Sequence, residues 1–190
     1  MARKLDCLLL CEDKEQESLI RPILKRQFSR VHVEPRKPQG GIAFVFQQYA
    51  RLVKGIIRRY PQEARGLVVV VDGDTAGYPQ RLEELDPCLL DAGYERRDIK
   101  KERIAVCVPC RNVETWEIWL CGRRDLNESD DYKPDFKAEK RRGAMSSEMA
   151  LQAWFAQVSE ADASAERAHL PSLSNGRAEL ARLYSLARDR

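Results

Sequence analysis

Residues 67–74 read Leu-Val-Val-Val-Val-Asp-Gly-Asp, and this stretch decides the predicted fold. Its first five residues are all apolar. A continuous apolar run is typical of a strand that is buried on both faces, as a central strand of a parallel sheet is. The two aspartates follow where such a strand ends. Because binding and catalytic residues of open parallel sheets lie at the carboxyl ends of the strands, the stretch also marks a candidate site.

Apolar runs and helical periodicities alternate through the first 121 residues of the chain. The runs predict strands at residues 5–10, 31–33, 67–71 and 104–108. The apolar periodicity predicts helices at residues 15–27, 42–60, 78–92 and 113–121. This alternation predicts an α/β fold with a mostly parallel sheet of about four strands and helices on both faces.

The composition changes after this alternating part. Residues 122–145 hold seven basic and six acidic residues and few apolar ones, so we expect a charged loop or arm. Closing helices are predicted at residues 149–158 and 179–187, with a break between them at Pro171 and residues 174–176. The predicted organisation is a catalytic core at 1–121, the arm at 122–145 and a helical extension at 146–190 that packs on the core.

Carboxylates follow three of the four predicted strands. Glu12 follows the first strand, Asp72 and Asp74 follow the third, and Glu114 follows the fourth. Oxygen ligands placed at one edge of a sheet suit Mg²⁺ or Mn²⁺, and Glu114 is placed to reach a second ion, as two-metal phosphoryl chemistry requires. The alternative interpretation is that Asp-Gly-Asp is an ordinary turn and that Glu12 and Glu114 only begin helices. The coincidence of three such ends favours the metal site.

The order of these elements resembles the Toprim domain, the catalytic fold of type IA and type II topoisomerases, bacterial primases and OLD-family nucleases. That family has a Glu just after its first strand, as Glu12 is here, and an Asp-x-Asp after its third, as at residues 72–74. Residues 108–116 also look like the stretch after the fourth strand of small OLD-type proteins, where a Glu followed by an aromatic recurs; here that Glu is Glu114. The resemblance covers residues 5–121.

The resemblance implies a metal-dependent nuclease, because a chain of 190 residues has no room for a strand-passage domain or a primase body. It implies that Glu12, Asp72 and Asp74 hold Mg²⁺ or Mn²⁺, and that Glu114 binds a second ion or orients water. OLD-type enzymes also place a lysine late in the domain, where its charge stabilises the transition state. The candidates for this role are Lys133, Lys137 and, third, Arg111.

The basic residues are unevenly distributed although the net charge is only +3. Residues 21–65 hold eleven Lys and Arg against two acidic residues. This excess predicts a surface for a nucleic-acid backbone, with binding that weakens in salt. The partner we expect is nucleic acid, DNA rather than RNA. The alternative is a set of solvated helix faces. The candidate nucleic-acid-binding residues are Arg36, Lys37, Arg51, Lys54, Arg58 and Arg111.

The resemblance also bears on partners. OLD-type nucleases commonly work with an ATPase, and this chain has no Gly-x-x-x-x-Gly-Lys-Ser/Thr motif, so an ATPase would be a separate chain. Such a pair implies phage defence or DNA repair. Two alternatives stay open at this point: a latent or non-catalytic Toprim-like subunit regulated by a partner, and a phosphatase of the haloacid-dehalogenase type. That phosphatase family also uses Asp-x-Asp, but after its first strand.

The sequence argues against several other classes of protein. Its longest strongly apolar run has five residues, far short of the ~20 that a membrane helix needs. Charged residues interrupt the first ten positions, so we expect no secretory signal and a cytoplasmic protein. The cysteines are then expected to be thiols. Cys107 and Cys110 have the spacing of half a zinc site, but no second pair accompanies them, so structural zinc is not favoured.

Overall fold

Parallel strands form the sheet of this protein in a computed structural model, which describes residues 6–34, 40–59 and 65–188. The strands of these residues are β1 (Asp6–Cys11), β2 (Arg30–Val33), β3 (Arg65–Val70) and β4 (Ile104–Cys107). They lie in the order β2-β1-β3-β4, and every neighbouring pair is parallel. This four-stranded α/β sheet confirms the predicted fold class, with boundaries shifted by a residue or two.

Strand β3 occupies the position that its continuous apolar run predicts. It lies between β1 and β4 and is buried on both faces. Val68 and Val70 pack into the core on one face of the sheet, and Leu67, Val69 and Val71 pack into the core on the other. Because successive side chains of a strand point to opposite faces, one run of five apolar residues supplies both cores.

Helices cover both faces of the sheet. Helices α1 (Lys14–Lys25) and α4 (Val113–Leu120) pack into the first core. Helices α2 (Gly41–Leu52) and α3 (Gly77–Asp91) pack into the second. None of the helices in the described ranges is long and apolar enough to cross a membrane.

The helix predicted at residues 42–60 changes its geometry midway. Helix α2 ends at Leu52, and a π-helical segment, Val53–Arg58, continues from it. Val53 and Ile57 of this segment are buried against the sheet. The predicted end at residue 60 lies outside the described residues.

Residues 122–145 are not a simple loop or arm. They contain helix α5 (Lys133–Arg141), and Leu126, Tyr132 and Phe136 are buried in the same core as α1 and α4. The prediction missed this helix because isolated apolar residues give no visible periodicity. The segment is therefore docked on the core, and its docking matters for the candidate site.

The C-terminal part is more helical than predicted. It forms α6 (Ser147–Phe155), α7 (Glu160–His169) and α8 (Pro171–Arg188), of which α7 was not predicted. The break expected at Pro171 and residues 174–176 is wrong, because these residues lie inside α8. Pro171 is tolerated at the first helical position. Gly176 serves packing rather than a turn, since a Cβ atom there would lie 2.5 Å from a ring atom of Trp116.

Side chains from helix α8 complete the outer edge of strand β4. Glu179 accepts a hydrogen bond from the backbone N–H of Val106 at 2.9 Å. Arg182 and Arg97 both donate to the carbonyl of Ile104, and each also pairs with Glu179. These contacts satisfy backbone groups that a further strand would otherwise pair, and they close the edge against other chains.

Replacing Glu179 by glutamine is expected to lower the free energy of unfolding at pH 7 by about 2 kcal/mol, since the half-buried Arg97 and Arg182 lose their counter-charge. Burial alone would raise the pKa of Glu179, but Arg97 and the Val106 N–H outweigh it and hold the pKa below the usual 4.5. The stabilisation is therefore present above pH 4.5 and is lost as the pH falls through the lowered pKa. Urea denaturation at pH 7 and pH 3.5 measures both effects.

The matched control for this comparison is Glu160→Gln. Glu160 pairs with Arg167 in an exposed ion pair, so its replacement is expected to change the free energy of unfolding by less than about 0.5 kcal/mol. Equal losses in the two variants would contradict the edge-closing role of Glu179.

Candidate metal centre at the carboxyl ends of the strands

The segments that follow β1, β3 and β4 place four predicted carboxylates at one edge of the sheet. These are Glu12, Asp72, Asp74 and Glu114, which we call the carboxylate cluster. Glu12 Oε1 accepts a hydrogen bond from the backbone N–H of Asp72 at 2.8 Å, and the charge of Asp74 acts on Glu12. Lys133 Nζ lies 3.8 Å from Asp72 Oδ2, and the charges of Glu114, Asp72 and Asp74 all act on Lys133. The ends of β1 and β3 therefore meet directly, and Lys133 links them electrostatically to Glu114, which follows β4.

Asp72 is held in place by a residue that the sequence analysis did not single out. The side chain of Gln16 is fully buried, and its Nε2 donates to Asp72 Oδ1 at 2.9 Å. Its Oε1 accepts the backbone N–H of Glu12 at 2.9 Å. One amide thus joins the ends of β1 and β3 and occupies one oxygen of Asp72, which is 5% exposed. The available signal was a polar residue on the apolar face of α1, in register with Leu19 and Ile20.

The Asp-Gly-Asp turn is fixed to the loop that follows β4. The N–H of Gly73 donates to the carbonyl of Pro109 at 2.7 Å, and the N–H of Asp74 donates to the carbonyl of Arg111 at 3.2 Å. Asp74 has a φ of +48°, a left-handed conformation that aspartate tolerates better than most residues. Its side chain is 56% exposed, so this is the open side of the cluster.

Arg81 supports the same turn from helix α3, and sequence reasoning missed it. Its Nε donates to the backbone carbonyl of Asp72 at 3.1 Å, and its guanidinium lies 3.7 Å from Asp74 Oδ2. It also pairs with Glu84 at 2.6 Å. In the sequence, Arg81 looks like part of an ordinary charged helix face, so no pattern distinguished it.

Glu114 is buried in the first turn of helix α4. Asn112 caps this helix, with its Oδ1 accepting the N–H of Thr115 at 3.3 Å. Glu114 is 4% exposed, and its Oε2 has no hydrogen-bond partner within the described part of the chain. Burial raises the pKa of Glu114. A buried carboxylate oxygen without a partner is costly, so the position favours a cation or a hydrogen-bond donor as its ligand.

Of the two predicted lysines, the structure brings Lys133 to the cluster and leaves Lys137 at the surface. Asn112 Nδ2 donates to Asp131 Oδ1, which also accepts the backbone N–H of Lys133, both at 3.0 Å. This link sets Lys133 Nζ 3.8 Å from Asp72 Oδ2. Burial lowers the pKa of Lys133, but the charges of Glu114 and Asp72 outweigh it and raise the pKa above its usual value. Lys137 is exposed.

The cluster carries more negative charge than its neighbours balance. Burial, the largest cause, raises the pKa of Asp72 to about 8, and the charge of Glu12 adds to this rise although Gln16 opposes it. Burial also raises the pKa of Glu12. Such shifts indicate carboxylates held in a poorly solvated place without enough positive charge. Shifts of this kind concentrate at functional sites.

These residues suit a divalent cation that keeps part of its hydration shell. In the described ranges no three acidic, His or Cys side chains meet closely enough to form a ready metal cage. Mg²⁺, however, keeps several waters and uses one or two carboxylates. Glu114 offers an unpartnered oxygen, and Asp72 and Glu12 each have one oxygen already bound within the protein. The residues therefore fit a hydrated Mg²⁺ or Mn²⁺ rather than an ion enclosed by protein.

Of the predicted nucleic-acid-binding residues, Arg36 and Lys37 lie outside the described residues. Among the four that the structure describes, Arg111 alone adjoins the Asp-Gly-Asp turn. Arg51 pairs with Glu34.

Lys54 and Arg58 lie near the opposite end of the sheet. Lys54 lies over the ring of Tyr94 at 5.2 Å. Arg58 pairs with Glu102, just before β4 begins. A six-residue strand separates that end from the cluster, which is about 20 Å.

Helix α4 has no solvated face, because every one of its residues is buried. Trp116 and Trp119 lie in the core. Glu117 is buried as well and accepts a hydrogen bond from Ser147 Oγ at 3.2 Å. Burial raises the pKa of Glu117 to about 7.

No protein-family model, curated protein or solved structure matches this chain. The fold and the candidate site therefore rest on the residues and contacts described above.

Proposed function

We propose that this protein is a Toprim-type nuclease that hydrolyses nucleic-acid phosphodiester bonds with Mg²⁺ or Mn²⁺. The observation that carries the proposal is the buried Oε2 of Glu114, which has no hydrogen-bond partner among the described residues. It belongs to a carboxylate cluster at the edge of a parallel sheet where its strands end. The Toprim resemblance of residues 5–121 supports the same reaction. The proposal includes DNA as the favoured substrate, a cytoplasmic location and a separate ATPase partner in defence or repair.

The residues of the carboxylate cluster and Lys133 would have distinct roles. Glu12, Asp72 and Asp74 would hold the ion, and Glu114 would hold a second ion or orient the attacking water. When bound, the ion supplies Lewis-acid polarisation of the phosphoryl oxygen and a more acidic bound water. Lys133 places a fixed positive charge beside the developing negative charge, where preorganised charges contribute most to catalysis.

The structure offers less support for the phosphatase alternative. In that mechanism the first aspartate attacks the substrate. Its carboxylate therefore needs to be exposed to the substrate and to have an oxygen that is not held by other protein groups. Asp72 is 5% exposed, and one of its oxygens accepts a hydrogen bond from Gln16. These contacts suit a held ligand better than a nucleophile.

Supercoiled plasmid, labelled single-stranded DNA and labelled RNA are incubated with the protein in Mg²⁺, Mn²⁺ or EDTA. We expect cleavage with either metal and none in EDTA. Glu12→Gln, purified in parallel, is expected to cleave at least about tenfold more slowly, because it loses a ligand charge. The glutamine can still accept the Asp72 N–H, so circular dichroism should show an unchanged fold.

Three outcomes would count against the nuclease. Equal cleavage by the wild type and Glu12→Gln would indicate a contaminating nuclease. No cleavage by a folded protein that binds Mg²⁺ would favour a latent subunit that awaits a partner. Release of phosphate from a small phosphoester, without attack on polynucleotides, would favour the phosphatase.

A further inference from the structure

Helix α5 carries a line of basic side chains that begins at the carboxylate cluster. Lys133, Lys137 and Arg141 are spaced at i, i+4 and i+8, so they share one face of the helix. We call these three residues the basic ridge. Lys137 and Arg141 are exposed. The ridge therefore leads from inside the site onto the surface.

Buried aromatic residues beside the basic ridge dock α5 on the core and so fix the direction of the ridge. Phe136 is buried in the core, as is Tyr132 just before the helix. Lys133 lies 3.8 Å from Asp72 Oδ2 at the first turn. Each step of four residues advances about 6 Å along a helix. Lys137 and Arg141 thus follow at about 6 and 12 Å from Lys133.

The two outer cations of the ridge are available to a ligand. Within the described part of the chain, neither Lys137 nor Arg141 forms an ion pair. The neighbouring Arg142, in contrast, pairs with Glu139. Exposed charges without counter-charges, spaced along a line, complement the repeated charges of a polyanion.

We propose that the basic ridge binds the phosphate backbone of a single nucleic-acid strand and leads it to the carboxylate cluster. This inference rests on the proposed function and names its substrate-binding surface. The ridge offers charge and no aromatic side chain, so it holds phosphates and does not read bases. It differs from the surface predicted from residues 21–65, whose Lys54 and Arg58 lie toward the other end of the sheet.

The test compares two double variants that remove equal charge. Lys137→Ala/Arg141→Ala removes the outer ridge. Lys100→Ala/Lys101→Ala removes two exposed lysines just before β4, at the opposite end of the sheet. Fluorescence anisotropy with a labelled 20-nucleotide DNA strand in EDTA measures binding without cleavage. Thermal unfolding checks that both variants fold.

We expect the ridge variant to bind about tenfold more weakly and the control to stay within about twofold of the wild type. The slope of log affinity against log salt should become shallower by about 1.4 in the ridge variant, because two phosphate contacts to a single strand are lost. The conservative variant Lys137→Arg/Arg141→Lys should bind like the wild type.

Equal affinities of the ridge variant and the control would overturn the inference, as would a wild type that binds no strand. Tighter binding to anionic phospholipid vesicles than to the strand would overturn it too. Metal-dependent cleavage by the wild type, together with unchanged strand binding by the ridge variant, would support the nuclease and contradict this surface. Ridge-dependent binding without metal-dependent cleavage would support the surface and contradict the nuclease.

Discussion

Replacement of Asp72 by asparagine is expected to lower metal-dependent cleavage about 1000-fold, the scale of losing one preorganised charge at a reacting centre. The amide has the size of the carboxylate, and its oxygen can still accept the hydrogen bond from Gln16 Nε2. The change therefore removes the ligand charge and leaves the packing of the strand end intact. Cleavage of labelled DNA in Mg²⁺ measures the loss.

The same replacement is expected to stabilise the metal-free protein. Burial, with the charge of Glu12 adding to it, raises the pKa of Asp72 from 3.8 to about 8. The folded state thus favours the neutral carboxyl, so the contribution of Asp72 to wild-type stability is complete below pH 3.8 and declines as the pH rises toward 8. Asparagine does not ionise. In EDTA, the melting temperature of the variant should therefore exceed that of the wild type by a margin that grows between pH 4 and pH 8.

Magnesium should reverse the order of the two melting temperatures. Saturating Mg²⁺ is expected to raise the melting temperature of the wild type and to leave the variant almost unchanged, since a ligand stabilises only the state that binds it. Asp125→Asn is the matched control, because this aspartate is exposed. A variant that is less stable than the wild type in EDTA at pH 8 would contradict the interpretation of Asp72 as an unbalanced ligand.

The sheet and the carboxylates where its strands end could be predicted, because each prediction depends on a local feature of the sequence. The apolar run at residues 67–71 can be buried on both faces only in the middle of a sheet, and there it forms β3. The carboxylates after the strands converge because parallel strands end on the same side. Neither inference needs knowledge of how distant segments pack.

The rest of the site depends on packing that leaves little trace in sequence. Leu126, Tyr132 and Phe136 dock residues 122–145 on the core, yet three scattered apolar residues have no helical period. Without that docking, nothing places Lys133 beside Asp72. The charge count of residues 21–65 carries no information about position for a related reason. It does not show toward which end of the sheet a residue such as Arg58 lies.

Replacement of Gly73 by alanine is expected to lower the free energy of unfolding by about 3 kcal/mol. A Cβ atom at this position would lie 2.0 Å from the backbone oxygen of Cys110 and 3.0 Å from that of Pro109. Backbone cannot rotate aside as a flexible side chain can, so the Asp-Gly-Asp turn and the loop after β4 must separate. That movement would pull Asp72 and Asp74 away from the rest of the cluster.

Cleavage by the folded fraction of Gly73→Ala should also fall about 100-fold, because a displacement of about 1 Å is enough to disrupt positioned groups. Urea denaturation measures the loss of stability, and cleavage of labelled DNA in Mg²⁺ measures the loss of activity separately. Gly55→Ala is the matched control, since a Cβ atom there meets nothing within 4 Å, and it should keep wild-type stability and cleavage. If Gly73→Ala instead kept both properties, the close packing of the two strand-end loops would not be what positions the aspartates. The metal site would then have to form on binding, with the turn free to adjust around the ion.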